Sequence, residues 1–311
     1  MDTVPWIFIE SVCLRLLDRD SILESTKIPS TWGQICTVAS EKIHTLRVLL
    51  DGKKKKIYAA AQPVLLQDYY SYYSNAVPLD SVDLKFITNF RIKTYNSYIL
   101  PNSWKEITLD ALQRLAHFIR PVRNERHPLR YDHRSFNTLW LSHESWEING
   151  KMLSMRLPVD SVDLQYVKSD EFFESAGPLY YVHYEGPSLK QSTVDTLIQK
   201  FVPIDEGRCN LRQSLSDEQV TKLFEKCAIS DKKVSVGVVP EVSTKILDLT
   251  NLAENYSEKE VREEGKLIYF FNRKDPMFGL QVCFYKERVE LQFRYSKGNL
   301  FVFMAKLIRW D

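Results

Sequence analysis

The stretch from residue 179 to residue 239 alternates short apolar runs with helical apolar stripes, and this alternation constrains the fold more than any other feature. The runs LYYVHY at 179–184 and VSVGVV at 234–239 have the length and residue types of buried strands. Between them lie two stripes at helical spacing, namely Val194, Leu197, Ile198 and Phe201, then Val220, Leu223, Phe224 and Cys227. The stripes begin 26 residues apart, so the sequence predicts successive strand–helix units of that length.

Two architectures fit such units, and the sequence leaves both open. The unit length falls in the range of leucine-rich repeats. The pentapeptide DSVDL also occurs twice, at 80–84 and 160–164, each time two residues after a proline. The strict leucine and asparagine pattern of leucine-rich repeats is missing, which leaves an irregular domain as the other option. We therefore predict an α+β fold of mixed β/α type, with a degenerate leucine-rich-repeat-like array as one possible form.

The first fifty residues have the pattern of three short helices. Pro5 suits the first turn of a helix, where its missing N–H costs nothing. An apolar stripe follows at helical spacing, formed by Ile9, Val12, Cys13 and Leu16. Residues 21–26 form a second short segment, and Ser30 or Thr31 can cap a third helix. These patterns predict a small all-helical module at this end of the chain.

The run Gly52-Lys53-Lys54-Lys55-Lys56 follows the helical patterns and marks a boundary. We predict a three-helix module over 1–48 and a mixed β/α interaction domain over 49–311. The lysine run is interpreted as a solvated linker or turn, and the alternative interpretation is a nuclear localisation signal.

Several elements of the body carry signals of their own. One helical face is formed by Leu109, Leu112, Ala116 and Ile119. Ser216 with Gln219 three residues later is a capping box, which predicts a helix start. Asn149-Gly150 stands between apolar residues and predicts a β-hairpin. Apolar residues alternate over 280–284 and again over 289–295, which predicts two adjacent strands.

Composition excludes several classes of protein. The formal net charge is only +2, with 42 basic and 40 acidic side chains, so nucleic acid is an unlikely partner. The five cysteines include no CxxC pair, which argues against disulfides and a structural zinc site. No apolar run has the ~18 residues of a membrane span, and charged residues at Asp2, Glu10 and Arg15 argue against a secretion signal. We expect an intracellular protein, cytoplasmic or nuclear, without membrane contact.

No catalytic motif appears in the chain. The sequences GxGxxG, GxxxxGK[ST], GxSxG and HExxH are all absent. His127 and His133 lie six residues apart in a basic loop and are not part of a carboxylate–histidine cluster, so a surface position is favoured over metal binding. A basic stretch precedes and surrounds them, formed by Arg120, Arg123, Arg126, Arg130 and Arg134. It is interpreted as a solvated loop, with recognition of an acidic partner segment as the alternative. We expect no enzymatic activity, no cofactor and no metal.

The N-terminal helices resemble the F-box, a helical module that docks on the Skp-type adaptor of cullin-RING ubiquitin ligases. The resemblance covers about residues 3–48 and rests on Val4-Pro5 at the start, Leu16-Leu17 at the end of the first helix, an aspartate-led apolar turn at 20–23, and Trp32 in the third helix. The resemblance implies that the adaptor is bound by Val4, Pro5, Phe8, Ile9, Leu16, Leu17 and Trp32. Such recognition places a few apolar anchors in a groove.

The segment GKLIYFFNRKDPMFGLQVCFYKERVELQFRYS at 265–296 resembles the C-terminal strands of a large group of nematode F-box-type proteins. Together the two resemblances imply a substrate-recognition adaptor, whose body binds an unknown protein substrate for ubiquitin transfer by other subunits. The alternative is a stand-alone interaction or scaffold protein, in which the N-terminal helices pack on the body and engage no ligase. A degenerate enzyme is the third and weakest interpretation, because no nucleophile, base or metal constellation appears.

Overall fold

The computed structural model describes residues 4–16, 19–65, 75–95, 99–119, 127–240, 256–262, 267–272, 278–284 and 289–295. The chain divides into two compact units between Leu179 and Tyr180. Both units combine strands with helices, and the first begins with three short helices. The mixed α/β class and the N-terminal helical module are therefore confirmed.

Three helices form the N-terminal module: α1 (Trp6–Leu14), α2 (Arg19–Thr26) and α3 (Thr31–Lys42). Ser30 caps α3, because its hydroxyl accepts a hydrogen bond from the backbone N–H of Trp32 at 3.1 Å. Gly33 in the first turn of α3 lies against the preceding connection. A Cβ at this position would stand 2.1 Å from the carbonyl oxygen of Ile28, so the close approach requires glycine.

Six strands of the first unit form one mixed sheet in the order β4-β2-β1-β3-β5-β6. They are β1 (His44–Asp51), β2 (Lys56–Pro63), β3 (Ile87–Tyr95), β4 (Lys105–Ile107), β5 (Thr138–Leu141) and β6 (Ser161–Gln165). Strands β1, β3, β5 and β6 are parallel neighbours in chain order, whereas β2 and β4 extend the sheet in antiparallel pairing. The chain therefore adds each parallel strand beside the previous one.

Helices α4 (Leu109–Phe118), α5 (Trp146–Ser154) and α6 (Asp170–Ser175) complete the first unit. The stripe predicted from Leu109 forms α4, with Leu112 and Ala116 fully buried. The predicted hairpin at Asn149-Gly150 is wrong, because both residues lie inside α5. The Asn149 amide donates to the carbonyl oxygen of Ser142 at 2.8 Å and accepts from the Ser145 hydroxyl at 2.8 Å. Asn149 thus satisfies groups at the start of its own helix instead of forming a turn.

The two faces of the first sheet differ in chemistry. One face is apolar and fully buried, formed by Leu46, Val48, Leu50, Phe90, Ile92, Leu139, Leu141, Val162 and Leu164. We infer that helices α4 to α6 cover it, because their own buried side chains need an apolar partner. Consistent with this, the Ser145 hydroxyl next to α5 hydrogen-bonds the Thr94 hydroxyl at 2.8 Å. At the β1–β2 end, the other face carries a second buried apolar cluster that includes Leu49, Ala60 and Tyr95. Over β5 and β6 it carries mostly polar side chains, which are described with the site below.

The described residues of the second unit form seven strands in the order β7-β8-β9-β13-β12-β11-β10. They are β7 (Tyr181–Glu185), β8 (Gly207–Leu215), β9 (Val234–Pro240), β10 (Tyr256–Arg262), β11 (Leu267–Asn272), β12 (Phe278–Phe284) and β13 (Val289–Tyr295). Strands β7 to β9 are parallel neighbours in chain order, and the remaining pairings are antiparallel. The predicted pair of alternating strands near 280 and 290 is confirmed as β12 and β13.

Helices α7 (Gln191–Lys200) and α8 (Asp217–Ile229) connect β7, β8 and β9. Both predicted stripes are buried, and the predicted capping box is confirmed. The Ser216 hydroxyl accepts from the backbone N–H of Gln219 at 3.3 Å, and the Gln219 amide oxygen accepts from the N–H of Ser216 at 3.2 Å. The Phe224 ring of α8 packs 5.5 Å from the Phe293 ring of β13, so α8 covers the apolar face of this sheet.

The repeated pentapeptide DSVDL and the lysine run each have a defined place in the fold. The first DSVDL copy (80–84) contributes to two short 3-10 turns, whereas the second (160–164) lies mostly in β6, so the shared letters mark no shared structure. The lysine run forms the turn of the β1–β2 hairpin, in keeping with its interpretation as a turn. The boundary predicted at residue 48 lies within strand β1.

Candidate functional site

The first turn of helix α1 is exposed to solvent. The side of the helix that carries Ile9 and Cys13 packs against the protein. The carbonyl oxygen of Pro5 accepts the backbone N–H groups of Phe8 and Ile9 at 3.0 and 3.3 Å, so the helix starts directly after the proline. The side chains of Trp6, Ile7 and Phe8 are 58, 61 and 54% exposed. Three consecutive large apolar side chains in water mark this turn as a candidate contact surface. We call these three residues the α1 apolar patch.

The other side of α1 is anchored in a small core that the helices share with Ile43, just before β1, and Val64, just after β2. This core contains Ile9, Cys13, Ile22, Cys36, Ala39, Ile43 and Val64. The backbone N–H of Val64 also donates to the carbonyl oxygen of Ile43 at 3.0 Å. Because the core holds one side of α1, the opposite side faces outward.

The structure separates the predicted adaptor contacts into two groups. Pro5 and Phe8 are exposed. Ile9 is only 2% exposed and belongs to the core, so its side chain packs against the protein itself and is not accessible to a partner here. Three others are partly buried against the same core: Val4, Leu16 and Trp32. The prediction for Leu17 falls outside the described residues.

Sequence reasoning missed Trp6 and Ile7, which are more exposed than Phe8. Neither residue was assigned a role, although both lie in the same apolar run. Helical geometry indicates the exposure of Ile7, because at 100° per residue Ile7 lies about 160° around the helix from the buried Ile9. Trp6 is at the first helical position, where no preceding turn shields it.

Polar contacts attach α2 to the rest of the first unit. The Arg19 side chain is 6% exposed, and its Nη2 donates to the carbonyl oxygen of Leu65 at 2.6 Å. The backbone N–H of Arg19 donates to Asp132 Oδ2 at 3.4 Å, and Asp20 forms an ion pair with Arg130. Part of the predicted basic stretch thus holds the helical module in place, while its residues 120–126 lie outside the described ranges.

The open face of the first sheet is the face opposite the buried apolar one. Its partly exposed positions are Arg91, Lys93, Trp140, Asp163 and Gln165. Strand pairing sets Lys93 beside Trp140 and Trp140 beside Asp163. The Lys93 Nζ lies 3.9 Å from the centroid of the Trp140 ring, a close cation–π contact. This face therefore offers charged and aromatic groups on a rigid strand platform.

One face of the second sheet is polar, and its charged side chains pair with one another. Glu185 Oε1 accepts from Arg212 Nη1 at 2.8 Å, and Glu290 Oε1 accepts from Gln292 Nε2 at 3.1 Å. Gly237 leaves room for the Asn210 side chain, whose Oδ1 would stand 2.8 Å from a Cβ there. Acidic groups on this face thus have partners within the sheet.

A cavity of about 530 Å³ lies at the β1–β2 end of the first unit. Its lining includes Asp51, Lys54, Tyr58, Tyr95 and Trp104. Asp51 accepts from the backbone N–H of Lys54 at 2.9 Å, so the carboxylate takes part in the β1–β2 turn. Among the described residues that line this cavity, no nucleophile lies next to a base.

Three buried thiols, those of Cys13, Cys209 and Cys227, have raised pKa values. Burial is the main cause that raises the pKa of Cys13 to about 12 and the pKa of Cys209 to about 12. Burial also raises the pKa of Cys227 well above its usual range. Thiols held in the neutral form are poor nucleophiles and poor metal ligands.

Within the described ranges, no group of three His, Cys, Asp or Glu side chains is arranged to hold a metal ion. Nor does any helix in that part of the chain combine the length and apolar character needed to cross a membrane. No family model, no curated protein and no solved structure matches the chain. The geometry of the α1 apolar patch and of the open sheet face is therefore what bears on function.

Proposed function

We propose that the protein is a non-enzymatic adaptor, whose N-terminal helices bind a Skp-type adaptor protein of a cullin-RING ubiquitin ligase and whose body binds a protein substrate. The α1 apolar patch is the observation that carries the proposal. It lies within the segment whose order of residues resembles the F-box, and its three side chains are more than half exposed. Large apolar and aromatic anchors of this kind supply most of the energy of helix-in-groove recognition.

The rigid attachment of α1 supports the same proposal. A side chain fixed before binding loses less conformational entropy on binding than a mobile one. The core beneath α1 and the contacts of Arg19 hold the helix before any partner arrives. Trp6, Phe8 and Pro5 would then enter the groove of the partner, and the partly buried Val4, Leu16 and Trp32 would flank them.

The proposal includes a leucine-rich-repeat-like architecture for the body. Strands β3, β5 and β6 of the first unit are parallel neighbours in chain order, and so are β7, β8 and β9 of the second. Helix α5 connects β5 to β6, while α7 and α8 connect the strands of the second unit. In these successive strand–helix units, the described helices leave one face of the sheet uncovered. An uncovered sheet face supports a role in which this protein binds other proteins.

A second candidate is a stand-alone interaction protein that engages no ligase. The observation that favours it is the position of Ile9, Leu16 and Trp32, which pack on the core of the protein itself. In that case the α1 apolar patch would bind a different partner.

Co-expression of the full chain with a Skp-type adaptor tests the proposal. We expect a stoichiometric complex with the wild type and its loss in the double variant Trp6→Ser/Phe8→Ser. Trp146→Ser is the matched control, because Trp146 is a 73% exposed tryptophan on α5, outside the module. Leu16→Asp would be a poorer test, since Leu16 packs on the core and the change would also disturb folding.

Two outcomes would contradict the ligase role: no complex with the wild type, or equal binding by the double variant. Circular dichroism of each variant keeps the result interpretable. The Trp6 and Phe8 side chains are exposed in the structure, so their replacement should leave the unfolding temperature close to that of the wild type.

A further inference from the structure

The cavity at the β1–β2 end of the first unit has the size and the lining of a binding site for a small molecule. Its volume of about 530 Å³ falls in the range of roughly 300–1,000 Å³ that is typical of such sites. Strands β1, β2 and β3 contribute Asp51, Tyr58 and Tyr95 to the lining. The connection over residues 100–104 and the first residue of β4, Lys105, contribute most of the rest.

The protein holds this lining in place before a ligand arrives. The lining is continuous with a buried apolar cluster, formed by Leu49, Ala60, Ala76, Tyr95 and Trp104. Two further lining residues, Tyr58 and Leu100, pack against the cluster. The backbone N–H of Trp104 donates to the carbonyl oxygen of Pro101 at 3.0 Å, which closes the connection as a tight turn. A preformed lining lowers the entropy cost of binding.

Aromatic rings form a large part of the lining. They belong to Tyr58, Tyr95 and Trp104. Tyr95 and Trp104 are each 6% exposed, whereas Tyr58 is partly exposed, so its ring is the one that a ligand can cover most fully. Aromatic side chains prefer flat apolar partners, because stacked and edge-to-face ring contacts add to the energy of burial. The walls of the cavity therefore suit a ligand with a flat ring.

Three polar groups of the lining are available to a ligand. Within the described ranges, no side-chain hydrogen bond and no ion pair is formed by the Tyr58 hydroxyl, the Asn102 amide or the Lys105 ammonium group. Asn102 and Lys105 are exposed, so water hydrates them in the free protein. A ligand that carries hydrogen-bond acceptors can replace this water at little cost.

Ion pairs at this end of the sheet leave one lysine over. Lys54 Nζ lies 3.9 Å from Asp51 Oδ2. Lys56 Nζ lies 2.7 Å from Glu106 Oε2 on the neighbouring strand. Lys105 has no such partner among the residues that the structure describes. The charge that remains next to the cavity is therefore positive.

We propose that this cavity binds a small aromatic anion, whose ring lies against Tyr58 and whose carboxylate or phosphate meets the Lys105 ammonium group. The Asn102 amide and the Tyr58 hydroxyl would donate further hydrogen bonds to the ligand. Lysine suits an anion of either geometry, because its ammonium group acts as a compact charge with three rotatable donors.

The lining does not suit a cationic ligand. Asp51 supplies the only carboxylate among the described lining residues. It accepts a hydrogen bond from the backbone N–H of Lys54 at 2.9 Å and also lies beside the ammonium group of that lysine. Its negative charge is therefore already used within the β1–β2 turn.

This inference goes beyond the proposed function, since none of the lining residues belongs to the three N-terminal helices. Isothermal titration calorimetry of the full chain tests it with three probes that share one ring system. They are 1-naphthoate, 1-naphthyl phosphate and the uncharged 1-naphthamide. We expect one-to-one binding of at least one anion, with an affinity about tenfold or more above that of the amide, because a hydrogen bond to a charged group contributes that much.

Two lysine variants separate the cavity from the rest of the surface. Lys105→Gln should weaken binding of the anion by about tenfold and leave binding of 1-naphthamide unchanged. Lys151→Gln makes the same change at an exposed position on α5 and should alter neither. Asn102→Trp places a ring at the exposed edge of the cavity and should weaken all three probes.

The α1 apolar patch is the competing place for an aromatic probe to bind. The double variant Trp6→Ser/Phe8→Ser should therefore keep the affinity of the wild type for the anion. Loss of binding in this double variant would overturn the inference, and so would the absence of binding by both anions, equal binding of 1-naphthoate, 1-naphthyl phosphate and 1-naphthamide, or an unchanged affinity in Lys105→Gln. Tighter binding of the carboxylate or of the phosphate supports the site and identifies the anionic group.

Discussion

Replacing Gly33 with alanine should destabilise the N-terminal helices, although alanine is the better helix former. A Cβ at this position would stand 2.1 Å from the carbonyl oxygen of Ile28 and 3.0 Å from that of Thr26. Both are backbone atoms, so no side-chain rotation can relieve the contact, and the connection between α2 and α3 has to move. Overpacking of this kind costs ~1–3 kcal/mol.

The gain from helix propensity opposes this cost. Alanine in place of glycine inside a helix contributes about 1 kcal/mol. Because a 2.1 Å approach to backbone belongs in the upper part of the overpacking range, the net loss should be roughly 1–2 kcal/mol of unfolding free energy.

Gly150→Ala is the matched control within the same unit. Gly150 is an exposed residue inside α5, and a Cβ there would meet nothing within 4 Å. This change should therefore keep the propensity gain and stabilise the protein by up to about 1 kcal/mol. The pair makes the same chemical substitution in two helices, with opposite expected signs.

Urea and thermal unfolding followed by circular dichroism measure both variants. Hydrogen exchange then locates the change, because a disturbed α2–α3 connection should lower protection in residues 19–42 before it affects the sheet. A Gly33→Ala variant that unfolds at the wild-type temperature or above would refute the steric argument. A destabilised Gly150→Ala would refute the assignment of that residue to an uncrowded helix position.

Two further predictions concern a helix cap and a buried histidine. Ser216→Ala should cost ~0.5–2 kcal/mol, measured by urea unfolding, because it removes the cap bond to the backbone N–H of Gln219; a Ser216→Asp variant should recover most of the loss. Burial lowers the pKa of His44 from 6.5, against a hydrogen bond to the Lys42 carbonyl that raises it. The unfolded chain therefore binds more protons than the folded protein between the folded pKa of His44 and about pH 6.5. The unfolding free energy should fall as the pH drops through this range and level off below the folded pKa. His44→Gln should flatten this slope, and an unchanged slope would contradict it.

Where periodicity and capping agree, the elements could be predicted from the sequence. The apolar stripe of α8 begins at Val220, four residues after the capping residue Ser216. All four side chains of this stripe are buried. Strand β13 was predicted from alternation alone, and Leu291 and Phe293 are indeed buried on one face. In these cases the local signal and the burial pattern select the same structure.

The hairpin prediction at Asn149-Gly150 fails for a reason that lies outside the local sequence. Asn-Gly favours a tight turn because both residues tolerate positive φ. In the structure the Asn149 side chain is 2% exposed and bonds groups around Ser142 and Ser145. Tertiary hydrogen bonding and the burial of Ile148 and Met152 outweigh a two-residue preference.

The sequence predicts a contact surface on α1, but the side chains that are exposed there are not those of the predicted apolar stripe. The apolar stripe identified α1 as important, yet Ile9 on the stripe is buried and Phe8 beside it is exposed. An apolar stripe shows which side of a helix seeks burial and leaves open whether a core or a partner buries it. Exposed residues off the stripe, such as Trp6 and Ile7, are the ones that require another explanation.

The pairing of charged residues between β1 and β3 shows a limit of a different kind. Alternation along β3 places Arg91 and Lys93 on one face, and a sequence can supply that much. The pairing of Arg91 with Arg47 depends on the register between β3 and β1, which is set by the burial of Phe90 and Ile92 on the opposite face. A one-residue slip of β3 would turn Arg91 and Lys93 toward the apolar side and turn the Phe90 ring away from it. The apolar side of the sheet therefore fixes which side chains stand next to each other on its other side, and a reader of the sequence cannot pair Arg91 with Arg47 without first knowing which side is buried.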